Sequence, residues 1–164
     1  MIIDLKKIFS TGKQSEKIEC ELKLDRSMGN VTLTGNTVRV SGELKSMAGD
    51  AQLNMTLVYT LTAYCDRCGG DVQMHEELSQ QHILSRSLHG GEDADLYIPL
   101  HDDKLCLDEL IYDDILLNLP GKILCEDDCR GLCTVCGINL NQGNCECSTE
   151  RVDPRLEALK QFLG

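Results

Sequence analysis

Ten cysteines stand in this chain of 164 residues, and six of them fall in one stretch, CEDDCRGLCTVCGINLNQGNCEC, running from Cys125 to Cys147. Their spacing is C-x3-C-x3-C-x2-C-x8-C-x-C, and a further pair, Cys65 and Cys68, brackets Asp66-Arg67 well upstream. Thiols this dense serve disulfides, redox exchange or a metal. Cys133-Thr134-Val135-Cys136-Gly137 has the form of a zinc knuckle, a tight turn that aims two thiolates at one point. Gly137 supplies the permissive backbone that must follow it. Cys145 and Cys147 return after a short loop and complete a set of four. Cys125 and Cys129 then remain, and Cys65 and Cys68 are available to meet them. The expectation is two Zn2+ ions, one on Cys65, Cys68, Cys125 and Cys129, the other on Cys133, Cys136, Cys145 and Cys147. A cysteine quartet can also hold an iron–sulfur cluster, but the knuckle-plus-glycine form favours zinc. Cys20 and Cys106 fall outside both sets.

Chemistry beyond metal binding finds little support. A redox Cys-x2-Cys needs a helix N-terminus to lower a thiol pKa, whereas Cys65 and Cys68 follow a long alternating strand. Catalytic zinc needs an open coordination position, and four thiolates leave none. His75, His82, His89 and His101 show no metal-ligand spacing and read mostly as solvated polar residues. No catalytic residue and no organic cofactor site is expected.

The elements that must position the thiols are mainly strands. Ala51, Leu53, Met55, Leu57, Tyr59, Leu61 and Ala63 alternate with Gln52, Asn54, Thr56, Thr60 and Thr62. That strand runs directly into Cys65-Asp66-Arg67-Cys68-Gly69-Gly70, and alternation resumes at Val72, Met74 and Leu78. A β-hairpin with two thiols at its tip results. Upstream, Ile18, Cys20, Leu22 and Leu24 share one strand face, which makes Cys20 a core thiol. Val31 and Leu33 begin another strand, Gly35-Asn36 signals a turn, and Val38, Val40 and Leu44 follow. Residues 1–15 suit a short docking strand or helix ended by Gly12. Ser85–Asp95 reads as a mobile loop and Leu96–Leu100, with Pro99, as a short edge strand. Leu107–Leu119 is the main helix, with Leu107, Leu110, Ile111, Ile115 and Leu116-Leu117 at helical spacing, and Pro120-Gly121 marks its exit. Asp153-Pro154 opens a C-terminal helix bearing Leu156, Leu159, Phe162 and Leu163. The fold class is α+β: a mainly antiparallel sheet, one packed helix, a cysteine-rich zinc-binding lobe and a short C-terminal helix. Residues 1–124 form the sheet part and residues 125–164 the zinc-binding segment, integrated as one domain.

Only 4% of residues are aromatic and none is Trp, so the core must be aliphatic. The start, Met1-Ile2-Ile3-Asp4-Leu5-Lys6-Lys7, turns charged at once, unlike a signal peptide. No stretch approaches the roughly 18 apolar residues of a spanning helix. A cytoplasmic protein without a membrane partner is expected. The formal charge is −11, and two tetrathiolate zinc sites would bring it to about −15. Residues 92–128 carry twelve acids against two bases. Such a block repels phosphate backbones and attracts basic surfaces. Interleaved basic and aromatic residues of an RNA-binding face are missing, although Lys6, Lys7, Lys13, Lys17 and Lys23 could form a local basic patch.

The Cys65-Asp66-Arg67-Cys68 tip, the helix from Leu107-Asp108-Glu109-Leu110 to Leu119-Pro120, the string Cys129-Arg130-Gly131-Leu132-Cys133 with Cys136-Gly137 and Asn139-Leu140-Asn141, and the closing Asp153-Pro154-Arg155-Leu156 occur in a known order. With them the chain resembles the YceD-like family, the large-subunit ribosomal RNA accumulation proteins of bacteria and chloroplasts. The likeness runs from Ile3-Asp4-Leu5 to the end. It departs at Cys106, where an acidic or hydroxyl N-cap is expected. The resemblance implies a non-enzymatic ribosome-biogenesis factor supporting 23S ribosomal RNA accumulation. Its partner would be a ribosomal protein or pre-ribosomal particle, with ribosomal RNA itself as a further candidate and no small-molecule substrate. The other function class open to the residues is a zinc-ribbon adaptor that recruits proteins outside ribosome assembly.

Overall fold

The computed structural model describes residues 1–10, 15–26, 28–87 and 96–147. Four long or medium strands, β2 (Ser15–Lys23), β3 (Thr32–Met47), β4 (Asp50–Tyr64) and β5 (Asp71–Ser85), form an antiparallel meander. A short β6 (Tyr97–Pro99) adds to β5 in parallel and completes the order β2-β3-β4-β5-β6. A separate two-stranded ribbon joins β1 (Ile2–Asp4) to β7 (Lys104–Cys106). Helices α1 (Lys6–Ser10) and α2 (Leu107–Leu117) follow these two ribbon strands. The C-terminal helix expected from Asp153-Pro154 lies outside the described residues, as do Gly12 and most of the Ser85–Asp95 loop. Among the described residues no helix is long and apolar enough to cross a membrane.

Alternation decides which face of the sheet is covered. In β4, Ala51, Leu53, Met55, Leu57, Tyr59, Leu61 and Ala63 are all buried. They share one core cluster with Leu5 and Ile8 of the α1 region, Val38, Val40 and Leu44 of β3, Leu84 of β5, and Leu107, Ile111 and Ile115 of α2. Tyr59 is the one aromatic among the buried members of this cluster, so the core is aliphatic. The even-numbered residues of β4 point to the other, polar face, where Thr60 Oγ1 meets His75 Nδ1 at 2.9 Å and Thr56 Oγ1 meets Ser79 Oγ at 3.2 Å. Gly42 lies in β3 opposite Met55 of β4. A Cβ there would lie 2.6 Å from the carbonyl oxygen of Asn54 and 3.0 Å from the Cβ of Met55. Gly42→Ala is therefore expected to lower stability by about 1–3 kcal/mol, the usual cost of overpacking. Chemical denaturation would show it as a lower midpoint at unchanged slope.

Four sequence readings change. Gly35-Asn36 is not a hairpin turn: β3 continues through it, and the register with β4 shifts between Leu33/Leu61 and Val38/Tyr59. Both residues take positive φ, 67° and 53°. The dihedrals of a tight turn also build a bulge, and this bulge returns Val38 to the inward face that Leu33 occupies. The helix α2 ends at Leu117, two residues early, where the side chain of Asn118 donates to the carbonyl of Asp114 at 2.8 Å. Leu116 and Leu117 are exposed, 43% and 83%, because the buried stripe Leu107–Ile111–Asp114/Ile115 leaves them on the far side. Asp114 holds its place in that stripe by pairing with His82 Nε2 at 2.9 Å, so His82 is a largely buried partner and not a solvated residue. Cys106 offers α2 no side-chain cap. The first helical N–H, from Leu107, instead donates to the carbonyl of Met1 at 3.0 Å, and Asp108 pairs with the N-terminal ammonium.

Candidate metal centres

The β4–β5 hairpin turns over Cys65–Gly70, and its turn is a knuckle. Cys65 N donates to the carbonyl of Gly70 at 2.8 Å, and Gly69 N donates back to the carbonyl of Cys65 at 2.9 Å. Residues 133–138 repeat this pattern: Cys133 N donates to Ile138 O at 2.8 Å, and Gly137 N donates to Cys133 O at 2.9 Å. The glycine after each second cysteine takes positive φ, 68° at Gly69 and 76° at Gly137, which a Cβ would oppose. The chain thus builds the same thiol-presenting turn twice, once within a sheet and once in a segment with little regular structure.

Four thiols converge at each turn. Cys65, Cys68, Cys125 and Cys129 form one group and Cys133, Cys136, Cys145 and Cys147 the other, with the sulfurs of each group all within 4.8 Å of one another. Cys65 Sγ lies 3.7 Å from Cys129 Sγ, and Cys68 Sγ lies 3.6 Å from Cys125 Sγ. Disulfide sulfurs would sit about 2.05 Å apart. A tetrahedron with metal–sulfur bonds of about 2.3 Å has edges of about 3.8 Å, which these separations match. All ten cysteines are free thiols, and Cys20 and Cys106 belong to neither group. Each tetrad could therefore hold one metal ion.

Electrostatics around the sulfurs suit a cation. Burial opposes ionisation of Cys65, but the backbone N–H groups of Cys68, Arg67 and Cys125 outweigh it and bring that thiol down to about 6. Cys133 also falls to about 6, through the N–H groups of Cys136 and Val135. The Asn141 side-chain amide, 3.2 Å from Cys129 Sγ, lowers Cys129. Other thiols move the other way: the Cys147 N–H works against it, but the Cys133 sulfur and burial raise Cys145. Contacts with the Cys129 and Cys68 sulfurs push Cys125 up to about 12, and the Cys136 sulfur together with burial pushes Cys147 up to about 12. Four thiolates so close repel one another, and a divalent cation removes the repulsion. With four sulfur donors the sphere is closed, which suits a structural ion.

The first group also joins two distant parts of the chain, and here the residues between the cysteines matter. Asp66 N donates to the carbonyl of Ile123 at 2.8 Å, while Ile123 N donates to Asp66 Oδ2 at 2.6 Å. Arg67 Nη1 donates to the carbonyl of Cys129 at 2.7 Å. Gly131 packs so tightly on the tip that a Cβ would meet the Arg67 carbonyl at 3.0 Å. The spacing of the thiols gave no hint of this clamp. Two charged residues inside a four-residue turn are its only sequence signal. Asp66→Asn keeps the shape of the clamp but removes its charge, and a cost of about 1–2 kcal/mol is expected. Thermal unfolding of the metal-loaded protein would read it, with metal content unchanged.

A sheet protein with one thiol tetrad at the β4–β5 tip and a second within residues 133–147 has two groups that could each hold a metal ion and tie chain segments together. The family described as large ribosomal RNA subunit accumulation protein YceD matches residues 53–163, and the chain belongs to that family. A chloroplastic YCED homolog 1 of Zea mays, a large ribosomal RNA subunit accumulation protein, is 32% identical over 74 residues, covering 42% of this chain and 25% of the maize protein. The Arabidopsis thaliana homolog of the same description is 22% identical over 148 residues, covering 73% of this chain and 46% of its own. The uncharacterized protein YlbN of Bacillus subtilis is 27% identical over 128 residues, 77% of this chain and 74% of YlbN. The chain thus spans less than half the length of the two plant relatives. No solved structure matches it.

Proposed function

We propose that this chain is a zinc-braced, non-enzymatic ribosome-biogenesis factor that supports 23S ribosomal RNA accumulation by binding a basic ribosomal protein or a pre-ribosomal particle. The observation that carries the reading is the pair of closed tetrathiolate-capable groups in a member of a family named for large-subunit ribosomal RNA accumulation. Closed sulfur spheres support a structural role for Zn2+ at Cys65, Cys68, Cys125 and Cys129 and at Cys133, Cys136, Cys145 and Cys147. The clamp at Asp66 and Arg67 supports treating residues 1–124 and 125–164 as one working unit. The protein would act in the cytoplasm. The adaptor alternative draws on Leu132, Val135 and Ile138, exposed by 45%, 53% and 42% around the second knuckle.

The partner surface is narrower than the acidic composition suggested. Asp114 is buried on His82, and Asp103 is held by Arg86 Nε and Nη2 at 2.6 and 2.8 Å. Asp102, Glu126, Asp127 and Asp128 remain exposed, while Glu92, Asp93 and Asp95 lie outside the described residues. Co-sedimentation with large-subunit precursor particles, combined with crosslinking in cells, tests the reading. Asp102→Asn with Asp127→Asn and Asp128→Asn should weaken association, most strongly at low salt, where screening is least. Lys6→Gln with Lys7→Gln should weaken it less. Tight binding of naked ribosomal RNA that depends on the lysines would overturn the reading, and an absence of co-sedimentation would favour the adaptor.

A further inference from the structure

The sheet ends unevenly. β6 covers β5 only at Ile83, Leu84 and Ser85, and among the described residues no strand pairs with residues 71–82 on that side. That stretch is about 40 Å of extended edge at about 3.3 Å per residue. It pairs with β4 without a register shift from Ala51/Leu84 to Tyr64/Asp71. Cross-strand bonds from Thr56 to Ser79 and from Thr60 to His75 link it to β4. Sheet edges are normally guarded by proline, lysine, a bulge or short length. The opposite edge, β2, is short and carries Lys17 and Lys23. Residues 71–82 (DVQMHEELSQQH) have no Pro, Gly, Lys or Arg.

We propose that the edge of β5 over residues 71–82, unpaired among the described residues, is a docking site for an extended protein segment that adds to the sheet as a sixth strand, with apolar and basic residues in alternation. The two faces of β5 dictate that pattern. Val72, Met74 and Leu78 face the core side, half-buried against its cluster, on a face they share with Glu76, Gln80 and His82, and the three apolar residues call for apolar partners. Asp71 and Glu77 stand exposed on the other face, and call for Lys or Arg. A second copy of this chain fits poorly. Two-fold antiparallel pairing about the middle of the stretch sets Glu76 or Glu77 against its own copy, and like charges directly opposite are destabilising. The inference deepens the proposed function and rests on it only for the identity of the partner as a basic ribosomal protein; the strand-addition geometry stands without it.

The test uses the full chain, zinc-loaded and reduced, with a synthetic peptide of alternating Val and Lys. Hydrogen exchange of residues 71–82 should slow by about tenfold or more at saturating peptide as edge N–H groups find partners. The same peptide N-methylated on alternate residues, and one with Glu in place of Lys, should give no slowing. Glu77→Lys with Gln81→Lys changes only exposed side chains and should reduce peptide binding at least tenfold while leaving the melting temperature near its original value. Peptide binding without protection of residues 71–82, or equal binding of the N-methylated peptide, would overturn the proposal. So would a concentration-dependent dimer that protects the same residues. If the double-lysine variant loses the peptide yet co-sediments like the original protein, the edge does not serve the particle, and the function proposed above stands. If the edge captures the peptide while no form co-sediments, the docking proposal stands and the ribosomal assignment falls.

Discussion

Cys68→Ser is expected to release one of two zinc ions and to destabilise the whole protein. Three thiols of that group, Cys65, Cys68 and Cys129, are buried, and the group joins the β4–β5 tip to the segment after α2. A structural zinc site contributes on the order of 10 kcal/mol of binding energy coupled to folding, comparable to the total stability of a domain. Serine offers no thiolate and leaves the remaining sulfurs mutually repelling without their ion. The melting temperature should fall steeply. Hydrogen exchange should rise both in the β4–β5 end of the sheet and across residues 123–129, because the clamp of Asp66 on Ile123 loses the ion that closes it. A variant that keeps both ions, or loses one with no change in the sheet, would contradict this.

Cys145→Ser should also release one ion, but with a local result. The second group lies wholly within residues 133–147, where the connections are short: the bridge Leu132–Asn139, Leu140 N to Gly131 O at 2.9 Å, and the knuckle itself. None of its cysteines belongs to the sheet's core cluster. Exchange should therefore rise in residues 130–147 while β2–β5 keep their protection, and the main unfolding transition should move little. Equal, global effects from Cys68→Ser and Cys145→Ser would show that the thiols are partitioned in another way.

The strand Ala51–Tyr64 and its hairpin partner could be read from alternation alone, because a sheet buried on one face writes period two directly into the chain. The knuckles were equally legible: each needs two cysteines with two residues between them and a glycine at positive φ, and all three are visible letters. What escaped was context. Gly35-Asn36 has the dihedral preferences of a turn, and only the pairing of β2 and β4 on either side makes it a bulge. Leu116 and Leu117 share the composition of a core face, yet the buried stripe of α2 runs through Asp114, whose cost of burial is met by His82 from a distant strand. Asp66 and Arg67 look like ordinary solvated turn residues until residues 123–129 arrive beside them. Long-range partners of this kind leave no periodic trace.

The claim on which the rest depends is that eight thiols hold two zinc ions in two closed sets. Native mass spectrometry of the reduced protein, repeated on Cys68→Ser and Cys145→Ser, tests it most directly. Two zinc ions should be found on the original chain and one on each variant, with Cys20→Ala and Cys106→Ala retaining both. A single ion on the original chain, an iron–sulfur cluster, or a Cys65–Cys68 disulfide in place of metal would contradict the account.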